Sequence, residues 1–160
     1  MQHIDKILLD RISLDASQCE RKRKNYNFHK EDNDLLQRML NALQPGTYVR
    51  PHKHENPDKR EAFIILRGKI LIVEFDHSGK VADYIIAGSD TGNYGAEVGP
   101  GIWHMIVCLE KNTVYYEVKD GPYNPQEDKI FADWSPPESD PSKHDYLNEI
   151  MDHCLRKNRS

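Results

Sequence analysis

The chain has 160 residues, 38% hydrophobic and 30% charged, with a formal net charge of −4. That length suits one domain with a sizeable core, and the composition is globular. The acidic balance excludes a global basic field that recruits nucleic acid. No apolar run approaches the roughly 18–20 residues that span a bilayer, and the N-terminal stretch MQHIDKILLDRI carries charges that a signal peptide lacks.

Taken in chain order, Ile4, Ile7, Leu8 and Ile12 recur at helical spacing and predict a short amphipathic helix over about 3–15. A basic patch, Arg21 to Lys24, follows, then Asn25, Asn27 and His29. The segment Leu35 to Leu43 is ambiguous. Leu35, Leu36, Met39, Leu40 and Leu43 fit a helix, a strand from Gln37 to Leu43 is also compatible, and Pro45-Gly46 ends either. Strands are expected at Ala62–Leu66, Lys69–Phe75, Val81–Ala87, His104–Leu109 and Thr113–Lys119, separated by tight turns and by a glycine-rich loop from Gly88 to Gly95. Short strands at this spacing, with no βαβ alternation, predict an all-β sandwich or barrel. Gly121 to Pro137 reads as ordered coil. Asp140 and Pro141 then open a closing helix over about 141–156, whose apolar stripe is Leu147, Ile150, Met151, Cys154 and Leu155. The reading is one domain over 1–160, with its barrel core at about 37–119.

Cys19, Cys108 and Cys154 are far apart and form no CxxC pair. They predict no disulfide framework and a reducing, cytoplasmic setting.

The chemistry concentrates between Gly46 and Gly68. Residues two apart on a strand share a face, so His52 and His54 can converge on one ion. Glu61 opens the next strand, and His104 opens a later one. Three imidazoles and a carboxylate suit one divalent transition metal, with zinc, iron, manganese and nickel all compatible, and can leave positions open for substrate. Six residues separate His54 from Glu61, so Glu55 and Asp58 stand as alternative acidic ligands. Glu117, Tyr48 and Lys119 are candidate proton-transfer groups. Tyr48 and Arg50 precede His52 at even spacing and are expected on the ligands' face. Arg50 should pair either with an acidic side chain or with an anionic substrate group. Asn25, Asn27 and His29, on the loop after the basic run, are candidate hydrogen-bonding groups for substrate hydroxyls.

Gly46-x5-His52-x-His54, Glu61 and Gly68 resemble the first motif of the cupin superfamily. Gly101-x-x-His104 resembles the second, with Gly99 in the usual proline slot, Pro100 beside it, and Cys108 where the motif ends on asparagine. More closely, Lys22–His29, Gln37–His54, Pro100–His104, Glu117–Tyr123 and Phe131–Pro136 resemble the WbuC family of cupin-fold metalloproteins. That resemblance implies a single cupin (double-stranded β-helix, jelly-roll) barrel, a bound metal and a link to surface-polysaccharide biosynthesis. It also favours strand over helix for Gln37–Leu43. The expected partner is a small polar or anionic molecule, and a homodimer is expected because barrel faces and edges want cover. Three functions are compatible: a metal-dependent isomerase or epimerase acting on a sugar-derived metabolite, an Fe(II)-dependent dioxygenase, and a non-catalytic binding protein that keeps its metal.

Overall fold

The computed structural model describes residues 1–157. The elements run α1 (Lys6–Gln18), β1 (Arg23–Asn27), β2 (Leu36–Leu43), β3 (His52–Lys53), β4 (Glu61–Arg67), β5 (Lys69–Phe75), β6 (Val81–Gly88), β7 (Gly95–Val98), β8 (Trp103–Cys108), β9 (Thr113–Asp120), β10 (Ile130–Phe131) and α2 (Lys143–Lys157). Asp5 caps α1 by accepting a hydrogen bond from the Leu8 amide at 2.9 Å. Asp140 accepts from the Ser142 amide at 2.9 Å in the turn that leads into α2.

All strand pairs are antiparallel, in two five-stranded sheets ordered β1-β2-β9-β4-β7 and β10-β3-β8-β5-β6. This is the all-β cupin jelly-roll core with a helix at each end. The ambiguous segment is strand β2, paired along its whole length with β9.

Burial follows from which face each strand turns inward. Phe63, Ile65, Ile70, Ile72, Ile106, Cys108 and Tyr115 meet between the sheets. Leu71, Val73, Met105 and Val107, from the opposite faces of β5 and β8, pack under α2 against Leu147, Ile150 and Cys154. Leu40, Ala42 and Val114, on the outer face of the other sheet, take Leu8, Ile12 and Ala16 of α1. Ile4 and Ile7 of the expected stripe stay exposed.

The barrel interior is therefore graded. One end is aliphatic, whereas inward positions at the other end are polar: His52, His54, Glu61 and His104 are all buried, as are Glu117 and Lys119. Gly68 makes the β4–β5 turn at φ +72°, where a Cβ would stand 2.3 Å from Thr113 Oγ1.

Candidate metal centre

Four side chains converge at the polar end. Ligand atoms of His52, His54, Glu61 and His104 all lie within 4.8 Å of one another. Register brings them together: His52 of β3 sits opposite His104 of β8, and Glu61 opens β4 on the facing sheet. The ring centroids of His52 and His104 are 4.4 Å apart, and those of His52 and His54 are 5.3 Å apart. Glu55 instead pairs with Lys53, and Asp58 is exposed, so Glu61 is the carboxylate at the cluster.

Each imidazole is oriented by a backbone carbonyl. Nδ1 of His52 faces the Arg50 oxygen at 2.9 Å, Nδ1 of His104 faces the Ile102 oxygen at 2.9 Å, and Nδ1 of His54 faces the Asp128 oxygen. A carbonyl only accepts, so each Nδ1 carries the hydrogen, which leaves Nε2 as the ring nitrogen turned to the centre and able to offer a lone pair to an ion. Burial, with the Lys129 charge nearby, pushes His52 well below the usual imidazole range and keeps it neutral. His54 Nε2 is buried and lies 3.0 Å from Glu61 Oε1 without forming a hydrogen bond. His104 Nε2 lies 3.0 Å from Glu61 Oε2. Burial raises the Glu61 carboxyl, but hydrogen bonds and positive charge from His104 and His54, which these rings supply when Nε2 carries a proton, outweigh this and hold it well below its ordinary value. Three directed lone pairs around an ionised, buried carboxylate fit a divalent transition metal. An ion would complete the unpartnered His54 nitrogen and take the place of the proton that His104 needs to bond Glu61.

In front of the cluster lies a cavity of about 390 Å³, lined by His52, Glu117, Lys119, Asn41, Tyr123 and Phe131 among others. Glu117 accepts a hydrogen bond from Asn41 Nδ2 at 2.8 Å, and burial together with the Glu61 charge pushes its carboxyl up to about 8. Lys119 points to Asp128 at 2.7 Å and stands 3.8 Å from Glu61. Lys59 reaches the other Asp128 oxygen at 2.9 Å.

Other expected site residues are distributed differently. Asn25 and Asn27 lie on an edge strand, β1, not on a loop, and Asn25 donates to Asn27 at 2.7 Å. Asn25 lines the metal cavity, and with Asn27 and His29 it also lines an adjoining one of about 190 Å³. His29 is buried, and its Nδ1 is 3.1 Å from the Arg38 amide, which donates to it. Arg50 lines the metal cavity but forms no ion pair among the described residues. Tyr48 faces away from it. It packs in the cluster under α2, 6.3 Å from Tyr146, and its hydroxyl donates to the Pro136 oxygen at 2.9 Å. Residues 48–51 carry no strand, so the even spacing that put Tyr48 on the ligands' face does not hold. Burial raises its hydroxyl to about 12.

Sequence reasoning missed Asp128, which orients His54 through its carbonyl and binds two lysines through its carboxylate. It also missed Lys129 on the cavity wall, and it gave Phe131 no role beyond opening a segment of the WbuC resemblance. The signal for Asp128 and Lys129 is the proline- and aromatic-rich coil that carries them.

Comparison with known proteins places this site in context. A family described as a domain of unknown function, DUF6016, matches residues 4–86. The chain belongs to this family. No functionally curated protein matches it in sequence. Solved structures give the fold. The capsular polysaccharide assembling protein CapF from Staphylococcus aureus is 23% identical with a TM-score of 0.53, over 67% of this chain and 28% of its own. L-ribose isomerase from Cellulomonas parahominis is 14% identical with a TM-score of 0.53, over 70% of each chain. KdgF from Halomonas sp. is 12% identical with a TM-score of 0.50, over 65% of this chain and 83% of its own. This DUF6016 chain thus spans little more than a quarter of CapF. Among its described residues no helix is long and apolar enough to cross a membrane.

Proposed function

We propose that the chain holds one divalent transition metal through His52, His54, Glu61 and His104 and rearranges a small, sugar-derived, polyhydroxylated metabolite by proton transfer, as an isomerase or epimerase does. The observation that carries this is the placement of Glu117. Its carboxyl opens into the cavity that His52 lines, with one oxygen anchored by Asn41. When bound, the ion supplies Lewis-acid polarisation of a substrate carbonyl or hydroxyl oxygen. The protein supplies the rest. The Glu117 carboxyl, raised to about 8, is poised between its acid and base forms near neutral pH and is placed to exchange a proton with a substrate carbon or hydroxyl. Lys119, fixed by Asp128, presents positive charge where an oxyanion develops. Asn25 and Asn41 offer amide groups to hydroxyls, and the Tyr123 and Phe131 rings wall the cavity. The resemblance to the WbuC family supports a role in surface-polysaccharide chemistry. So does the presence of a capsular polysaccharide assembling protein and a sugar isomerase among proteins of the same fold.

The test has two steps. Elemental analysis of protein purified without a metal-affinity tag should give about one transition metal per chain. The metal-loaded protein should then exchange carbon-bound hydrogen of aldoses, ketoses or their derivatives with deuterated solvent, followed by NMR. Glu117→Gln should stop exchange and keep the metal. Oxygen consumption with ferrous iron and no exchange would instead support the dioxygenase reading, which the same three-histidine, one-glutamate donor set also fits. A stoichiometric metal with neither activity would leave a binding protein.

A further inference from the structure

The metal cavity carries five cationic side chains against three carboxylates. The carboxylates are already engaged. Glu138 pairs with Arg21 at 3.0 Å and with Arg23 at 2.5 Å, Asp128 lies between Lys59 and Lys119, and Glu117 accepts from Asn41. Two cations are left over. The Arg50 guanidinium donates only to neutral oxygens, Ser135 Oγ at 3.2 Å and the Ala132 carbonyl at 2.7 Å, and lies 5.4 Å from the centre of the Phe131 ring. Lys129 has no ion pair and no hydrogen bond among the described residues.

The backbone puts both beside the metal ligands. Arg50 lies two residues before His52, and its carbonyl orients that ring. Strand β10 runs antiparallel to β3 with Phe131 opposite His52 and Ile130 opposite Lys53, so Lys129 comes alongside His54. A divalent ion held by three neutral imidazoles and one carboxylate adds a further net positive charge. A half-buried guanidinium with no counter-charge is costly, and its planar fork matches an oxyanion in a bidentate manner.

We propose that Arg50 and Lys129 form an oxyanion subsite beside the metal centre, so that the natural ligand is an acidic sugar derivative carrying a carboxylate or phosphate rather than a neutral sugar. The cavity is near the small end of the ~300–1,000 Å³ range of ligand pockets, which limits the occupant to about a monosaccharide and its charged group. Asn25 and Asn41, on the opposite wall, then face the hydroxyl-bearing part of the ligand. This subsite rests on the metal centre described above but not on catalysis.

Calorimetry on the zinc-loaded protein tests it, with D-glucose, D-glucuronate and D-glucose 6-phosphate as probes. At least one acidic sugar should bind tenfold or more tightly than glucose, and which one does so distinguishes a carboxylate from a phosphate site. Arg50→Gln and Lys129→Gln should each reduce that preference fivefold or more, with zinc content and glucose affinity unchanged. Arg50→Gln also loses the bonds to Ala132 and Ser135. Lys129 is exposed and makes no such bonds, so its variant should fold and carries the test alone if the other does not. Absence of an acid preference, whether all three sugars bind equally or none binds, overturns the proposal. So does an acid preference that Lys129→Gln leaves intact, because the anion would then rest on the metal alone. A preserved charge preference without hydrogen exchange would sink the catalytic reading and leave the subsite standing.

Discussion

Asp128→Asn is the most informative single perturbation of the fold around the site. The Asp128 carboxylate accepts from Lys59 at 2.9 Å and from Lys119 at 2.7 Å, and the three side chains are 3%, 2% and 6% exposed. A carboxamide keeps the shape, but its single oxygen cannot serve both ammonium groups, and its NH₂ points a donor at a donor. Removing one partner of a buried ion pair costs roughly 3–5 kcal/mol, because the charge left behind stays desolvated. At roughly 2–4 °C per kcal/mol for a chain of this size, the melting temperature should fall by about 6–20 °C. The assays are thermal unfolding for the melting temperature and urea unfolding for the free energy, both in excess chelator so that metal linkage does not enter. Asp120→Asn is the control, because its partner Arg60 is 64% exposed and such pairs contribute about 0–1 kcal/mol. The pH dependence has a definite sign. Burial raises the Asp128 carboxyl, but the Lys119 charge and the hydrogen bonds from both lysines outweigh this and hold it below its ordinary value. Its contribution is therefore present above the unfolded carboxylate pKa of about 3.9 and is lost as pH falls through the lower folded value. A loss under about 1 kcal/mol for Asp128→Asn, equal to that of the control, would show that the two ammoniums are solvated and refute the argument.

Other outcomes are expected from the same structure. His52→Ala and His104→Ala should lose stoichiometric metal by elemental analysis while His77→Ala, in an exposed turn, keeps it; equal content in His52→Ala and the parent would remove the metal assignment. Adding metal at a hundred times its Kd should stabilise the parent by about 2.7 kcal/mol and leave His52→Ala unmoved, read by thermal unfolding. Gly68→Ala should cost at least ~1–3 kcal/mol in urea unfolding, because the turn needs φ +72° and the new Cβ would also meet the Thr113 backbone at 2.9 Å; a neutral result would mean that the turn repacks freely. Light scattering at micromolar concentration should give a dimer mass, and Ile64→Glu on the exposed outer face of β4, where Leu66 also lies, should shift it to a monomer; a monomeric parent would end the dimer reading.

What the sequence showed and hid follows from where each strand faces. Val81–Gly88 and Thr113–Asp120 were legible because turn chemistry brackets them. The segment 36–43 imitated a helix because β2 is covered on both faces: Leu40 and Ala42 lie under α1, while Leu43 turns into the barrel. Apolar residues on both faces, mixed on the cavity side with Gln37 and Asn41, erase the alternation that identifies a half-buried strand. The strand Arg23–Asn27 was hidden for the opposite reason. Arg23 and Asn25 face a polar cavity, so β1 reads as a solvated basic patch, and nothing in its composition distinguishes a wet barrel interior from bulk water. The cluster of His52, His54, Glu61 and His104 was legible because all four hold strand or strand-edge positions at motif spacing. Tyr48 was misplaced because alternation was carried through a stretch with no strand to sustain it.

The coil from Gly121 to Pro137 resists sequence reading for a further reason: the contacts that hold the segment 48–54 are made mostly by its backbone. The Asp128 carbonyl orients His54, the Ala132 carbonyl receives Arg50, the Ala132 amide donates to the Pro51 carbonyl at 3.0 Å, and the Pro136 carbonyl receives Tyr48. Each of these would look the same with other side chains in place, so residue types give no hint of them. Yet together they bind that segment, which carries two of the four clustered side chains, along nearly its whole length. That segment is strand only at His52–Lys53, so its own sheet cannot fix the imidazoles. The coil does so instead, and the buried Lys59–Asp128–Lys119 triad anchors the coil to β9 and to the loop before β4. The geometry of the candidate metal centre thus depends on the coil as well as on the barrel motifs that announce it in the sequence.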